Sequence, residues 1–230
     1  APDGSAIAFL MQQEDYTYDL WRIDVSVVNG EPQGSNPTEL TQDVRLQTPA
    51  WSSAGDVIAF KQNLEDGSKV IQTVPATGGA VETIYTAPEG YGIGEISWRS
   101  DASQLAFQTS NNGLHYIMAL EISDYTTTTL YGPTTQWLGH MDMARTSDTF
   151  VYGSTDGIYI LDITQTNPTP QLLLAGDYKM VTWSPDDSQI ALLKWDKNNW
   201  LNLMVYTLAT EEMEKLAKGF APDWCRDIQQ

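Results

Sequence analysis

The sequence of 230 residues contains one cysteine, Cys225, and two histidines, His115 and His140. One cysteine cannot form an internal disulfide, so both reducing and oxidising compartments stay open. One thiol and two distant imidazoles cannot build a structural zinc site, and no segment has the residue spacing of a calcium-binding loop. The sequence therefore indicates neither a metal site nor a cofactor.

Long apolar runs and basic residues are also scarce. No run reaches the roughly 18 apolar residues that a membrane-spanning helix needs, so we expect no membrane insertion of this segment. With 12 basic and 30 acidic residues the formal net charge is −18, which disfavours nucleic acid and anionic membrane surfaces as partners. The apolar fraction of 41% and the aromatic fraction of 10% are too high for a disordered acidic tail, so the chain folds.

What the sequence does contain is an internal repeat. Trp51 opens WSSAGDVIAF, Trp98 opens WRSDASQLAF, and Trp183 opens WSPDDSQIAL. A degenerate copy begins at Met143, Trp224 opens a partial copy, and the N-terminal APDGSAIAF is the same unit without its first residue. These anchor positions recur at steps of about 40–47 residues, so the repeat covers the whole chain.

Each repeat has the pattern of short β-strands, because runs rich in Ile, Val, Phe, Tyr and Thr alternate with Gly, Asn, Asp and Pro. In the second repeat the predicted strands are 48–53, 57–63, 69–75 and 81–86. In the last repeat they are 180–185, 189–195, 201–208 and 211–217, although EEMEKLAK also has local helical propensity. Four short antiparallel strands in a repeat of this length are typical of a β-propeller blade.

The repeat predicts an all-β chain with a single β-propeller domain of four-stranded antiparallel blades over residues 1–230. The repeat units are approximately 1–47, 48–93, 94–139, 140–179 and 180–220, followed by a closing strand at 221–230. Trp224 and its neighbours would supply the first strand that the N-terminal unit lacks, so the terminal segments would pair and close five blades. The alternative is that the chain is part of a six- or seven-bladed propeller.

The segments WSPDDSQIALL, APDGSAIAFL and WSSAGDVIAFK resemble the WD40-like (PD40) repeat of TolB-like propellers. LWRIDV, LHYIMAL and GIYILDI resemble a later strand of that repeat, and the fourth unit fits least well because Met143 replaces tryptophan. The resemblance implies a β-propeller and, if habitat follows fold, a periplasmic or secreted protein. TolB-like propellers usually have six blades, which supports the larger-propeller alternative. This repeat is specific for fold and not for function.

Catalytic groups do not stand out in this sequence. His115 lies in a predicted strand, and His140 lies two residues before Asp142, so both members of that pair could point the same way. A His–Asp pair can orient a base, but no Gly-x-Ser-x-Gly elbow accompanies it, which favours structural roles for both histidines. The sequence therefore predicts no catalytic residue. A glycosidase-like or lyase-like site assembled from acids of several blades is the enzymatic alternative.

Aromatic residues outside the repeat anchors indicate a binding surface. Trp195 and Trp200 bracket Asp196 in the connection between the second and third strands of the last unit. Tyr16 and Tyr18 occupy the equivalent connection of the first unit. Because strand direction alternates, such connections emerge at one end of a propeller, where aromatic and acidic groups suit a peptide or a sugar. The alternative is that these rings pack against the blades.

The leading hypothesis is a non-enzymatic binding or scaffold propeller that recognises a protein or peptide through its loops, with acidic loops favouring basic partners. A glycosidase-like or lyase-like enzyme and a lectin-like module for carbohydrate are the alternatives. The repeat anchors have structural roles in this interpretation; they are Trp51, Trp98, Met143, Trp183 and Trp224. Many of the acids lie at one recurring turn of the repeat, namely Asp3, Asp56, Asp101, Asp148 and Asp186.

Overall fold

A computed structural model describes residues 1–14, 17–44, 49–165, 167–196, 198 and 200–219, without the side chains of 43 and 44. Within these ranges every regular element is a β-strand, and the strands form five antiparallel sheets. The prediction of an all-β fold with five antiparallel blades is confirmed. No helix in the described ranges could span a membrane.

The chain divides into two compact units, and the first contains residues 1–93 and 122–125. Its first sheet, in the order β1-β2-β3, consists of β1 (Ala6–Gln12), β2 (Tyr18–Val28) and β3 (Glu31–Val44). Its second sheet follows sequence order and consists of β4 (Ala50–Trp51), β5 (Val57–Asn63), β6 (Lys69–Pro75) and β7 (Glu82–Thr86). The two sheets share a core of Leu20, Leu40, Ile58, Phe60, Val74 and Ala76.

The second unit contains, among the described residues, 94–121 and those between 126 and 219, and holds three four-stranded sheets, each in sequence order. The third sheet of the chain consists of β8 (Gly92–Trp98), β9 (Gln104–Asn111), β10 (Leu114–Glu121) and β11 (Thr127–Thr134). The fourth consists of β12 (Met141–Met143), β13 (Thr149–Gly153), β14 (Gly157–Asp162) and β15 (Gln171–Ala175). The fifth consists of β16 (Tyr178–Trp183), β17 (Gln189–Trp195), β18 (Leu201–Thr207) and β19 (Glu212–Lys218). The helical alternative for EEMEKLAK is therefore wrong.

Burial explains why the second strand of each repeat has a continuous apolar run. Four consecutive residues are buried in β5, β13 and β17, and five are buried in β9. When successive residues of a strand are all buried, both of its side-chain rows are covered, so both rows are mostly apolar; Lys61, Gln108 and Thr109 are the polar residues in these runs. The fourth strands are mostly exposed and tolerate the charges of β19.

The anchor residues end the first strands of their sheets. Trp98, Met143 and Trp183 are buried, and Trp183 packs in a cluster that includes Ala144 and Val151 of the fourth sheet. Trp51 is half-buried, and its indole Nε1 donates to the carbonyl oxygen of Gly55 at 3.1 Å. Trp224 lies outside the described residues. Aromatic and thioether side chains of this size supply much of the apolar area that neighbouring sheets bury.

The recurring acidic turn between the first two strands is closed by its own hydroxyl groups. The Oδ1 atom of Asp186 accepts from Ser184 Oγ at 2.7 Å, from Ser188 Oγ at 2.8 Å and from the Ser188 N–H at 3.1 Å. Asp3 accepts in the same way from Ser5, and Asp101 from Ser103. These are Asx turns, in which a short side chain replaces a backbone acceptor.

The hydrogen bonds of this turn predict an unusually acidic carboxyl group. The Ser184 hydroxyl, followed by the Ser188 hydroxyl and N–H, lowers the pKa of Asp186 from 3.8 to about 2. Its contribution to stability is therefore complete above pH 3.8 and is lost as the pH falls through about 2. We expect Ser184→Ala to raise this pKa, as measured by NMR titration of the carboxyl carbon. Ser103→Ala is the matched control and should raise the pKa of Asp101 alone; an unchanged Asp186 pKa in Ser184→Ala would contradict the assignment.

Closure by the terminal segments stays a prediction, because residues 221–230 lie outside the described residues. In the described ranges the first sheet has three strands, and β1 is at its edge. If 221–230 supply the missing strand, a chain that ends at Gly219 should unfold at a lower urea concentration, since an edge and its apolar face become exposed. Removing only residues 229–230 is the control and should leave the midpoint unchanged. Equal midpoints for the full and the shortened chain would overturn the closing-strand prediction.

Candidate functional site

The carboxylate of Asp142 joins three sheets of the second unit. It is buried, with 8% of the residue exposed, and accepts from Ser97 Oγ of β8 at 3.2 Å. From β16 it accepts the Thr182 hydroxyl and the Trp183 N–H, both at 2.9 Å. The Arg145 guanidinium binds both carboxylate oxygens, at 3.2 and 3.1 Å. Because protein donors already occupy the acceptor sites of both carboxylate oxygens, Asp142 has a structural role and positions the three sheets.

Two further carboxylates strengthen the same junctions. Asp187 of the fifth sheet accepts from the backbone N–H groups of Arg145 and Thr146, each at 2.7 Å. Arg99, directly after β8, donates to Asp148 of the fourth sheet at 2.7 Å. Two of the acids that mark the recurring turns, Asp148 and Asp186, therefore differ in role: the first links sheets, and the second closes its own turn.

His140 has a different environment from Asp142, although the two are close in sequence. His140 Nδ1 lies 3.8 Å from Glu95 Oε2, and both side chains are partly exposed. Gln108 supports this pair, because its Oε1 accepts from the Glu95 N–H at 3.4 Å and its Nε2 donates to the Gly139 carbonyl. The sequence hypothesis of a His140–Asp142 pair did not identify Glu95, which lies 45 residues earlier on another sheet.

The connection between β17 and β18 displays the two tryptophans of the sequence-predicted site. Trp200 is 57% exposed and Trp195 is 40% exposed. Asp196 fixes the connection, because its Oδ1 accepts from the backbone N–H groups of Asn198 at 2.8 Å and Trp200 at 3.0 Å. The bond from the Trp200 N–H is the main cause that lowers the pKa of Asp196, so the carboxyl group is ionised near neutral pH. The Asp196 N–H also donates to the Trp200 carbonyl at 2.9 Å.

The structure brings Trp195, Asp196 and Trp200 together in this single connection. Tyr18 begins β2 in the first unit and is half-buried, while Tyr16 lies outside the described residues. A further exposed ring is that of Trp137 in the β11–β12 connection, at 44% exposure. Its position away from the repeat anchors was the only sequence signal for it.

The described residues hold no cluster of three or more His, Cys, Asp or Glu side chains suited to a metal ion. The His140–Glu95 pair has only two such groups, and Asp142 is saturated by hydrogen bonds. The β17–β18 connection places two exposed indole rings and one ionised carboxylate next to one another.

No protein-family model matches the sequence, and no curated protein matches it either. Solved structures do match. TolB from Acinetobacter baumannii is 19% identical with a TM-score of 0.76, over 95% of this chain and 54% of TolB. An oligogalacturonate lyase in complex with manganese is 16% identical with a TM-score of 0.68, over 96% of this chain and 64% of the lyase. A chain of the nidogen/laminin complex is 14% identical with a TM-score of 0.65, over 95% of this chain and 76% of that one.

These likenesses show the β-propeller fold. This chain spans about half the length of the A. baumannii TolB that it matches, at 54%. The three structures are a TolB, a lyase and a chain of a protein complex, and such variety is expected of a fold that occurs with many functions.

Removing the Asp142 carboxylate should destabilise the second unit. Asp142→Ala leaves the Trp183 N–H and the Arg145 guanidinium without their acceptor, and we expect a loss of about 3 kcal/mol in the free energy of unfolding. Urea denaturation followed by tryptophan fluorescence measures it. Asp156→Ala is the control: this exposed acid accepts from the side chains of Gln136 and Tyr159, so the loss on its removal should be below about 1 kcal/mol. Equal losses would contradict the special role of Asp142.

Proposed function

We propose that this chain is a non-enzymatic binding or scaffold propeller that recognises a protein or peptide through the β17–β18 connection. The residues that would bind are Trp195, Asp196 and Trp200, and Tyr16 and Tyr18 would serve the equivalent connection of the first sheet. The observation that carries the proposal is the pair of largely exposed indole rings on one hydrogen-bonded connection.

Exposed tryptophans on a fixed backbone are suited to binding. Tryptophan is enriched among the residues that dominate binding energy at protein interfaces, since it buries a large area with few rotatable bonds. The two bonds that Asp196 accepts hold the connection before a partner arrives, so less conformational entropy is lost on binding.

The comparisons support a binding role at the level of the fold. The similar chain from a nidogen/laminin complex supplies the precedent of this fold within a protein complex, and the similar TolB structure shares the fold. We also propose a periplasmic or secreted location, on the basis of the TolB-like repeat motifs.

An enzymatic or carbohydrate-binding role is the second candidate, because an oligogalacturonate lyase shares the fold at 16% identity. The half-exposed Glu95–His140 pair is the group on which a proton-transfer role would depend. Incubation with oligogalacturonate separates the candidates: cleavage that is lost in Glu95→Gln would favour the enzyme and overturn the proposal, whereas an uncleaved substrate supports a binding module.

We predict that Trp195→Ala and Trp200→Ala each weaken peptide binding about 10-fold or more, because each removes a large exposed apolar anchor. Peptides selected from a random displayed library on the full chain serve as probes, and titration calorimetry measures their affinity. Trp137→Ala removes an equally exposed indole from the β11–β12 connection and should change the affinity less than about twofold. The proposal fails if no peptide is enriched, or if all three variants bind equally well.

A further inference from the structure

One row of side chains crosses all four strands of the fifth sheet. In the strand register Tyr178 of β16 pairs with Lys194 of β17, Lys194 pairs with Asn202 of β18, and Asn202 pairs with Lys218 of β19. Directly paired residues of antiparallel strands project from the same face. The row lies at the end of the sheet that also carries the β17–β18 connection with Trp200.

The two lysines of the row rest on aromatic rings. Lys194 Nζ lies 5.2 Å from the ring centroid of Tyr178, and Lys218 Nζ lies 4.8 Å from that of Trp200. Both distances are within the range of a cation–π interaction, which orients an ammonium group without neutralising it. The rings therefore hold two positive charges in place on the same face.

Several other cations of this acidic chain pair with carboxylates, such as Arg22 with Asp24, Arg99 with Asp148 and Lys179 with Asp177. Within the described ranges, neither Lys194 nor Lys218 has a carboxylate oxygen within 4.0 Å. The charge of Lys218 helps to lower the pKa of Asp196, but that carboxylate lies beyond 4.0 Å, so both ammonium groups of the row remain able to bind an external anion.

The amide of Asn202, between these lysines, is incompletely bonded. Asn202 is 5% exposed, and its Nδ2 donates weakly to the carbonyls of Lys194 and Trp200, at 3.5 and 3.4 Å. Its Oδ1 is buried and accepts no hydrogen bond from the residues that the structure describes. An unsatisfied buried acceptor is costly, so a donor that a ligand brings beneath the lysine side chains would be favoured.

Charge in the fifth sheet is divided between its two ends. Five of the seven lysines of the chain lie between residues 179 and 218. The acids of this segment lie mainly at the opposite turns, at Asp186, Asp187, Glu211, Glu212 and Glu214. At the end that carries Trp200, the described part of the sheet has Lys179, Lys194 and Lys218 against Asp177 and Asp196, which is a small excess of positive charge on an acidic protein.

We propose that the Lys194–Asn202–Lys218 row binds an acidic, extended peptide segment of the partner, beside Trp200. Lys194 and Lys218 are two strand spacings apart, which is about 10 Å between their Cα atoms. In the polyproline II conformation, which has three residues per turn and a rise of about 3.1 Å per residue, two acidic residues three positions apart lie on the same side of the peptide and are separated by about 9 Å. Each ammonium group would bind one carboxylate, and a peptide N–H between them would donate to Asn202 Oδ1. This inference depends on the proposed binding function and changes the expected partner from basic to acidic.

The test uses the full chain and a fluorescein-labelled peptide with the core Glu-Ser-Gly-Glu, whose two acids are three positions apart. Fluorescence anisotropy at low and high salt measures its affinity. We expect binding that weakens with salt, and a loss of about 3- to 10-fold for each of Lys194→Gln and Lys218→Gln. Lys215→Gln, which removes the same charge from an exposed position of β19, should change the affinity less than about twofold. A peptide with glutamine in place of both glutamates should not bind.

Several outcomes would overturn the inference. An equal loss in Lys215→Gln would mean that general charge attracts the peptide, and no loss in either row variant would remove the row from the site. Binding of oligogalacturonate but not of the acidic peptide would assign the row to carbohydrate instead. If library-selected peptides depend on Trp195 and Trp200 but are indifferent to Lys194→Gln and Lys218→Gln, the proposed function stands and the acidic-partner inference fails.

Discussion

The carboxylate of Asp142 accepts five hydrogen bonds, and three of them join its strand to the first strands of the two adjacent sheets. Sheets that pack face to face through apolar side chains can slide, because the hydrophobic effect has no direction. Charge-assisted bonds from Ser97, Thr182, the Trp183 N–H and the Arg145 guanidinium fix one arrangement. The buried clusters around Trp183 and Phe150 then supply most of the stability within that arrangement. Specific geometry and apolar stabilisation thus come from different residues.

This division leaves the ends of the strands free to carry chemistry. The β17–β18 connection and the two lysines of the row beside it are exposed at one end of the fifth sheet, so their side chains do not have to be apolar, whereas Tyr178 and Asn202 of the row are buried. Trp200 and Lys194 can be exposed because Ile190 and Leu192, earlier on β17, already fill the core. A surface of this kind can change its partner without changing the packing beneath it.

The sequence predicted the strands, but it did not predict the side-chain contacts between them. The apolar runs predicted the strands 57–63, 69–75 and 189–195 with their observed bounds, since those runs are buried on both faces. EEMEKLAK has helical propensity, yet it forms β19 because the exposed edge of β18 offers it a complete set of backbone partners. The pairing of His140 with Glu95 and the row through Lys194 and Lys218 depend on register across strands. Bulges such as the one at Met180 shift that register, and no local sequence pattern predicted this bulge.

The Asx turns have a consequence for how such a chain can change in length. Asp3, Asp101 and Asp186 each close their turn with serines that lie within two residues of them. In a unit with this turn, hydrogen bonds from the unit's own residues hold the turn, so the hairpin does not depend on a neighbouring unit. Duplication or loss of a whole unit would therefore preserve turns of this kind, and selection would act on the carboxylate links and the buried apolar contacts between adjacent units. The gene for such a protein can gain or lose modules more readily than it can alter the interior of one.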